Sequence, residues 1–402
     1  MELLRALYGG MECGRLFFEK YVKLHKDMGF TSTHYEQCLL ILHRDDGDFI
    51  KIVFHVDDGL IVHKGEELWA WYQAEFAKTF QFTCKEFTRF LGVDVRVDYA
   101  NQTVELTLEK QIVKFLRSFD MEDCNGSSYG PMPSNYQLPT AADIPEDPVE
   151  LAEITSTFDM QSCVGHLGFL QHIARPDLSL VLKILSTATV KFGKKHIELA
   201  RHAMRYLQAT KHVGLVLRSG FARELQIYTD ASHASHPDHR RSITGVIGKL
   251  CGCTIFWCCL YQKLVSHSSC ESELIALDKG ATIGHYIYLA RISSILGAPQ
   301  TESISIFVDS KSTIDITSGN PIQPGRNLHV HARYFFVRDC VIDKYYKIHH
   351  LPSAEQLADI LCVFKSSATF KHLFRLLMGC CRVEINSSSG AYAWNTSLLH
   401  LP

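Results

Sequence analysis

The stretch 224–262, ELQIYTDASHASHPDHRRSITGVIGKLCGCTIFWCCLYQ, decides the fold of the C-terminal half of this chain. It contains three short runs rich in β-branched and aromatic residues, at 225–232, 243–249 and 253–257. Such runs, separated by polar or glycine-containing segments, predict consecutive strands of an antiparallel meander. Asp230 lies near the end of the first run, so the pattern places a carboxylate at a strand end.

Three further carboxylates occupy distinctive settings downstream. Asp309 ends the apolar run ISIFVD, which predicts a parallel-type strand. Glu273 lies in SSCESELIAL, where an S-x-x-E capping box predicts a helix over 271–296 with Glu273 in its first turn. Asp359 lies in SAEQLADIL, which we expect to be a last helix that begins near Ala354. The order of strands and helices through 224–376 predicts an α/β domain.

Carboxylates brought together from strand ends and helices form an oxygen-rich pocket that suits Mg²⁺ or Mn²⁺. Two such ions about 3.5–4 Å apart can clamp the attacking and leaving oxygens of a phosphodiester. A single Asp after a strand is most often a turn or helix-cap residue, so the hypothesis depends on all four acids occurring together. Glu271 is a rival of Glu273, and it also fits the role of capping-box acid.

Size and composition narrow the class of protein. The chain has 402 residues, 46% hydrophobic and 21% charged, which predicts a folded protein of two or three domains. A net charge of −2 argues against a strongly basic nucleic-acid-binding protein but leaves room for a local basic groove. The 14 scattered cysteines and the lack of an apolar leader predict free thiols in an intracellular protein. No run of about 18 apolar residues occurs, so we expect no membrane span.

The N-terminal half shows a second acidic feature. Residues 36–62 predict a hairpin, residues 65–80 a helix, 88–108 a further strand pair, 109–121 a helix, and 158–210 helices broken at Pro176. Within the first of these segments, HVDDG places Asp57 and Asp58 between two apolar strand segments. An isolated acid pair at a hairpin tip is usually a solvated turn, but it also suits a metal-binding tip.

Several motifs occur together in one order through 224–376. They are YTDASHASHPDHRRSITG, TIFWCCLYQ, SHSSCESELIALDKGA, IFVDSKSTIDI, NLHVHARYFFVRD and LPSAEQLADIL. This region resembles the ribonuclease H domain of copia-type long-terminal-repeat retrotransposon polyproteins. The resemblance implies a mixed five-stranded sheet and hydrolysis of the RNA strand of an RNA–DNA hybrid. It makes Asp230, Glu273, Asp309 and Asp359 the ligands of two Mg²⁺ or Mn²⁺ ions, and it places near the substrate groove Arg241, Ser242, Thr244, Gln262, Ser310 and His329.

The N-terminal segment ALYGGMECGRLFFEKYVKLHKDMGF…HVDDGLIVHKG resembles the palm of copia-type reverse transcriptases. The resemblance implies that Asp57 and Asp58 are paired catalytic and metal-binding carboxylates of an RNA-directed DNA polymerase. In the family a further catalytic carboxylate lies upstream of the segment that matches this chain. We therefore expect no polymerase activity from this chain alone.

Together these observations predict an α/β and α+β protein with four regions. They are a truncated reverse transcriptase palm at 1–125, a linker and helical thumb or connection region at 126–220, a ribonuclease H-like domain at 221–380 and a tail at 381–402. The expected partners are an RNA–DNA hybrid or other nucleic acid, and other parts of the polyprotein, with no membrane. The expected location is intracellular, either cytoplasmic in a virus-like particle or nuclear. The alternative is a catalytically inactive nucleic-acid-binding remnant of a degenerate transposable element.

Overall fold

The computed structural model describes residues 12–32, 36–127, 130–133, 136–220, 224–289, 303–318, 328–363 and 365–380, with two short strands beyond. At 288–289, at 318, at 328–334 and in those two strands it describes the backbone alone, so the side chain of His329 lies outside the described part. Most of the predicted tail also lies outside it, apart from strands Val383–Ile385 and Tyr392–Trp394. The chain divides into two compact units, residues 1–95 and 96–402.

The first unit is built on an antiparallel meander. Strands β1 (Thr31–Ser32), β2 (Leu39–His43), β3 (Phe49–His55) and β4 (Asp58–Lys64) pair in that order. Helix α1 (Cys13–Asp27) precedes the sheet, helix α2 (Glu66–Ala77) follows it, and β5 (Arg89–Phe90) pairs with β6 (Val93–Asp98). The hairpin and the helix predicted from sequence are confirmed, and the hairpin extends into a meander.

The core of this unit follows the period of its strands. Along β3 the side chains of Ile50, Ile52 and Phe54 are buried while their neighbours are more exposed, which is the alternation of a half-buried strand. The buried His25 lies among aromatic rings, where its Nε2 is 3.1 Å from the Tyr72 hydroxyl. Burial lowers the pKa of His25, so this imidazole is a neutral core residue.

The second unit opens with a strand and a group of helices. In chain order these are β7 (Thr103–Thr107), α3 (Glu109–Ser118), α4 (Pro148–Ser156), α5 (Met160–Ile173), α6 (Ser179–Leu185), α7 (Lys194–Ala209) and β8 (Leu215–Arg218). Asp147 caps α4 ahead of its first residue, Pro148, and Asp159 caps α5. The expected helix break falls at Pro176, which begins a short 3₁₀ turn.

A five-stranded mixed sheet forms the rest of the second unit, as predicted. Its strands are β9 (Leu225–Ser232), β10 (Ile243–Leu250), β11 (Cys253–Tyr261), β12 (Ile304–Val308) and β13 (Tyr346–His350). The spatial order is β11-β10-β9-β12-β13, in which β9, β10 and β11 are antiparallel while β12 runs parallel to both β9 and β13. The helices of this region are α8 (Ser269–Leu289), α9 (Lys311–Ser318), α10 (Leu328–Ile342) and α11 (Ser367–Leu377).

One predicted element is wrong. Asp359 was expected in a helix beginning near Ala354, but it lies in the five-residue 3₁₀ turn Leu357–Leu361. The buried side chain of Gln356 accepts a hydrogen bond from the Ala358 amide, and its own amide donates to the carbonyl oxygens of Thr229 and Phe307. These contacts tie the segment to strands β9 and β12, and Gln356 caps the start of the short turn. Among the described residues, no helix has the length and apolar character to cross a bilayer.

A buried ion pair fixes the helix break in the second unit. Nε and Nη2 of Arg175 donate to the two carboxylate oxygens of Asp177 at 3.0 and 2.8 Å, and the Tyr206 hydroxyl donates to the same carboxylate at 2.8 Å. Arg175 also donates to the hydroxyl and carbonyl oxygens of Thr210. The three charged and phenolic side chains are each 1% exposed, so this is a satisfied network in the core.

We expect Asp177→Asn to destabilise the second unit by about 3–5 kcal/mol, because it leaves the Arg175 charge buried without its partner. Urea unfolding followed by circular dichroism measures this. Glu122→Gln is the matched control, since it removes the acid of the exposed Arg117–Glu122 pair and should barely move the midpoint. Equal shifts in the two variants would contradict a structural role for the buried pair.

Candidate active site

Two carboxylates meet at one edge of the five-stranded sheet. Asp230 lies near the carboxyl end of β9, and Asp309 directly follows β12. These strands are parallel neighbours, with Tyr228 opposite Phe307 in the register. Since each acid follows its register residue by two positions, the fold itself places the two carboxylates side by side. Asp230 is 3% exposed, whereas Asp309 is only partly buried.

Helix α8 brings in the third carboxylate. It approaches β9 closely at Gly280 and Gly284, where an added Cβ would lie 2.4 Å from side-chain atoms of Thr229 and Ile227. This helix begins at Ser269, two residues earlier than expected, so Glu273 is its fifth residue and lies in the second turn rather than the first. Glu273 accepts a 3.3 Å hydrogen bond from the Ala231 amide. Glu271 instead accepts a bond from the His267 amide before the helix start, so Glu273 is the acid that faces the strand ends.

The 3₁₀ turn supplies the fourth carboxylate from the other side. Gly245 on β10 pairs with Asp230 on β9, and an added Cβ there would lie 2.7 Å from the Ala358 carbonyl oxygen. The missing side chain lets the turn lie directly over the strand. Asp359, 3% exposed, then forms a hydrogen bond with the Asp230 carboxylate.

The four acids form two overlapping groups that share Asp230. Ligand atoms of Asp230, Glu273 and Asp309 all lie within 4.8 Å of one another, and so do those of Asp230, Asp359 and Cys362. The structure therefore brings all four predicted carboxylates into one cluster. The thiol of Cys362 is a member that the sequence did not predict.

Burial and mutual repulsion govern the ionisation of the cluster. Burial, reinforced by the neighbouring Asp359, raises the pKa of Asp230 well above its ordinary value. Burial, with Asp230 as the next cause, raises the pKa of Glu273 to about 9. Burial also raises the pKa of Asp359. Without a cation the site therefore holds protons at neutral pH.

Three side chains of the chain itself contact these acids. The Cys362 thiol donates to Asp230 at 2.7 Å, and the Ser353 hydroxyl donates to Asp309 at 2.8 Å. The Lys365 ammonium forms an ion pair with Asp359. Burial, followed by the nearby Asp230 charge, raises the pKa of the Cys362 thiol well above its usual range, so in this state it is a proton donor.

The donor set fits hard divalent cations. The second carboxylate oxygen of Glu273, Oε2, is buried and has no hydrogen-bond partner. An uncompensated buried carboxylate oxygen is costly, and a cation at the shared cluster would compensate it. Carboxylate oxygens are the ligands that Mg²⁺ and Mn²⁺ prefer. The residues present therefore suit such an ion.

The predicted substrate-groove residues separate into two kinds. Ser242, Thr244 and Gln262 are each at most 4% exposed and bond within the protein. Ser242 accepts from the Ala234 amide, while Gln262 donates to the Thr244 hydroxyl. Their contacts hold the β10–β11 end of the site. Arg241 is exposed and Ser310 is partly exposed, so these two are accessible to a phosphate.

Asp57 and Asp58 lie in the other unit. They occupy the tip of the β3–β4 hairpin, where His55 pairs with Asp58, and both acids are exposed. In the part of the chain that the structure describes, no third carboxylate, thiol or imidazole completes a three-ligand cluster with them. Their role as metal ligands remains a prediction.

Four residues of the site were not predicted: Ser353, Gln356, Cys362 and Lys365. Only Gln356 could have been suspected from the sequence, because it is a polar residue directly before the mostly apolar segment LADIL. In the structure its side chain is fully buried. A buried amide must find hydrogen-bond partners, which makes it a candidate for positioning the turn. The other three are recognisable only from contacts across the fold.

Glu273→Gln should raise the melting temperature of the metal-free protein by several degrees at neutral pH. Folding raises the pKa of Glu273 from 4.5 to about 9, so ionisation progressively disfavours the folded parent as pH rises through that range. At pH 4 both states are protonated and the gain should vanish. Thermal melts with a chelator measure this. Glu271→Gln is the control, and an equal gain at pH 4 and pH 8 would contradict the electrostatic cause.

Comparisons with known proteins agree with the resemblance that the sequence motifs indicate. No protein-family model matches the chain. The retrovirus-related Pol polyprotein from transposon TNT 1-94 of Nicotiana tabacum is 29% identical over 366 residues, 90% of this chain and 27% of that protein. The Pol polyprotein from transposon RE1 of Arabidopsis thaliana is 25% identical over 385 residues, 95% of this chain and 25% of that protein. The chain spans about a quarter of the length of these curated relatives.

Solved structures give weaker likenesses. A foamy viral protease-reverse transcriptase in complex with dsDNA is 14% identical, covering 87% of this chain and 60% of that one, with a TM-score of 0.44. LC11-RNase H1 in complex with an RNA/DNA hybrid is 13% identical, covering 35% of this chain and 94% of that one, with a TM-score of 0.26. The sequence relatives confirm the resemblance carried by the motifs: over 90% and 95% of its length, this chain is similar to these two retrotransposon Pol polyproteins.

Proposed function

We propose that this protein is a ribonuclease H-type nuclease that hydrolyses phosphodiester bonds in the RNA strand of RNA–DNA hybrids with Mg²⁺ or Mn²⁺. The observation that carries this proposal is the convergence of Asp230, Glu273, Asp309 and Asp359 from four separate elements on one cluster. Purely structural acids are dispersed or paired with bases. Here three carboxylates are buried against one another, and this arrangement is stable only with protons or cations between them.

The two overlapping groups suggest how two ions would be held. Asp230, Glu273 and Asp309 would hold one, and Asp230 with Asp359 would hold the second, so that Asp230 is shared. When bound, such ions polarise the phosphate and stabilise charge on the attacking and leaving oxygens. Asp309 is the most exposed of the four acids, which makes its side of the cluster the side that a substrate phosphate would approach.

The chain's own residues position this machinery. Gln356 ties the turn that carries Asp359 to the ends of β9 and β12. Ser353 fixes one oxygen of Asp309, and the Ala231 amide fixes one oxygen of Glu273. Carboxylates held in this way lose little freedom when a cation binds, which is the benefit of preorganisation. Arg241 and Ser310 remain accessible for phosphate contacts.

The substrate class rests on the relationship to Pol polyproteins. The motifs of residues 224–376 resemble the ribonuclease H domain of that family, and this resemblance implies an RNA–DNA hybrid as the substrate. Recognition of the 2′-hydroxyl is what would separate the RNA strand from the DNA strand. The near-neutral net charge of −2 predicts modest, salt-sensitive affinity, because phosphate contacts supply much of the binding energy.

A second candidate is a nucleic-acid-binding remnant without catalysis. One observation favours it: Lys365 and Cys362 already engage Asp359 and Asp230, so internal groups compete with a cation for these oxygens. If that competition wins, the protein would bind hybrid in a salt-dependent way and leave it uncut.

Asp309→Asn should lower the rate of hybrid cleavage by at least about 100-fold, since it removes a ligand charge from the cluster. The assay is cleavage of an end-labelled RNA–DNA hybrid by the full chain in Mg²⁺ or in Mn²⁺, with RNA–RNA and DNA–DNA duplexes alongside. Asp315→Asn is the matched control, because Asp315 is an exposed acid on the next helix, α9, and its removal should leave the rate unchanged.

Cleavage of the hybrid alone, lost in Asp309→Asn and kept in Asp315→Asn, would support the nuclease. A folded parent that binds the hybrid and never cuts it would favour the remnant. Parent and Asp309→Asn cutting at the same rate would mean that the nuclease activity lies elsewhere or is a contaminant.

A further inference from the structure

The two halves of the acidic cluster differ in chemistry. The group of Asp230, Glu273 and Asp309 offers only oxygen ligands, whereas the group of Asp230, Asp359 and Cys362 includes a thiol. The Cys362 sulfur lies 2.7 Å from Oδ2 of Asp230 and 3.4 Å from the Ala358 carbonyl oxygen. Carboxylate oxygens select hard ions such as Mg²⁺, and thiolate sulfur selects softer ions such as Zn²⁺.

We propose that Asp230, Asp359 and Cys362 form a binding site for a thiophilic divalent cation of the Zn²⁺ class. The inference rests on the proposed function in that the thiol-containing group shares Asp230 and Asp359 with the site proposed for the second ion. A cation held by the thiol-containing group would occupy those two carboxylates and compete with the hard ions that the nuclease needs. Zn²⁺ would then act as an inhibitor of Mg²⁺-dependent cleavage.

The ligand set matches such an ion in number and kind. Structural and catalytic Zn²⁺ sites use cysteine, histidine and carboxylate ligands, and three protein ligands leave a fourth position open. Binding would exchange the protons of the ligand group for the metal: the S–H bond of Cys362 and any O–H bond of Asp230 or Asp359 would break, bonds from sulfur and oxygen to the metal would form, and the protons would leave to solvent. No oxidation or reduction takes place.

The charges of the three ligands, the cation and Lys365 balance among themselves, with Glu273 and Asp309 outside this sum. Two carboxylates and one thiolate carry three negative charges, while a divalent cation and the adjacent Lys365 ammonium carry three positive charges. Lys365 contacts Asp359 directly, so it lies in the immediate surroundings of the ligand group. A neutral total is what a buried group of charges requires, because an uncompensated charge is expensive away from water.

Access and an unsatisfied neighbour support the site. Cys362 lines a cavity of about 460 Å³ together with Leu138, Leu180, Ser232 and Ile243, so one member of the ligand group borders space that a cation could enter. In the other group that shares Asp230, the carboxylate of Glu273 is 8% exposed and keeps one buried oxygen without a partner. The four-carboxylate cluster as a whole is thus short of positive charge.

The test is a titration of the full chain with Cd²⁺, a spectroscopically visible stand-in for Zn²⁺, followed by thiolate-to-metal charge-transfer absorption in the near ultraviolet. Several other thiols are present, so the result is the difference between parent and variants. Cys362→Ser and Asp230→Asn should each remove one Cd²⁺ from the tightest class of sites, with at least about tenfold weaker binding. Cys270→Ser, which changes a thiol at the start of α8, should retain it.

Asp230→Asn keeps every thiol, so it tests the shared carboxylate even if Cys362→Ser fails to fold, which circular dichroism would reveal. Identical titrations of parent and folded Cys362→Ser would overturn the proposal. Loss in Cys362→Ser but full retention in Asp230→Asn would also overturn it, because the thiol would then bind without the carboxylate. A Cys362- and Asp230-dependent Cd²⁺ site in a protein without Mg²⁺-dependent cleavage would support the metal site while contradicting the nuclease.

Discussion

Repulsion among four carboxylates, which meet where the neighbouring strands β9 and β12 end, is the main constraint on the five-stranded sheet region. Two negative charges about 4 Å apart repel by about 4 kcal/mol at the effective dielectric of a protein near its surface. Three of these acids are at most 8% exposed, so solvent cannot relieve that repulsion. Protonation is one way to relieve the repulsion, and the raised pKa values of Asp230, Glu273 and Asp359 favour it. A hydrogen bond from the Cys362 thiol and the charge of the Lys365 ammonium relieve it further, and bound metal ions would do the same.

The fold can impose this unfavourable arrangement because it is built from rigid pieces with close contacts. Parallel pairing of β9 with β12 fixes two acids regardless of their charge. Glycines on α8 and at Gly245 let a helix and a turn come closer to β9 and β10 than any side chain would permit. Apolar burial in the sheet core, with Ile227, Val246 and Ile306 fully enclosed, supplies the stabilisation that offsets the charge repulsion.

These same contacts explain how far the sequence could be interpreted. The strands carrying Asp230 and Asp309 and the helix carrying Glu273 were predictable, because hydrophobic periodicity and capping residues are local signals. The turn carrying Asp359 was not, because its shape is set by Gln356 bonding to strands about 50 and 127 positions earlier in the chain. Cys362 and Lys365 were missed for the same reason. The role of a single cysteine or lysine cannot be inferred from the local sequence, because it depends on which carboxylate the folded chain places beside it.

Among the described residues of the second unit, the pairs Arg175–Asp177 and Lys365–Asp359 both lie largely away from bulk water, and they differ in how completely the acid is satisfied. Around Asp177, the guanidinium of Arg175 and the hydroxyl of Tyr206 satisfy the carboxylate, and the Arg175 donors that remain reach Thr210. In that network the Asp177 carboxylate has hydrogen-bond partners on both oxygens, so its role is to fix the helix break rather than to bind a ligand.

The surroundings of Asp359 are less complete. Lys365 satisfies this carboxylate, while the adjoining Asp230 bonds to a second acid and a thiol, and Glu273 keeps an oxygen without a partner. The same fold satisfies the Asp177 carboxylate fully but leaves the cluster around Asp230 short of positive charge. Such a shortage is expected at the place where a positively charged ligand binds. The deficit is therefore the strongest physical reason to regard this edge of the sheet as a site of chemistry.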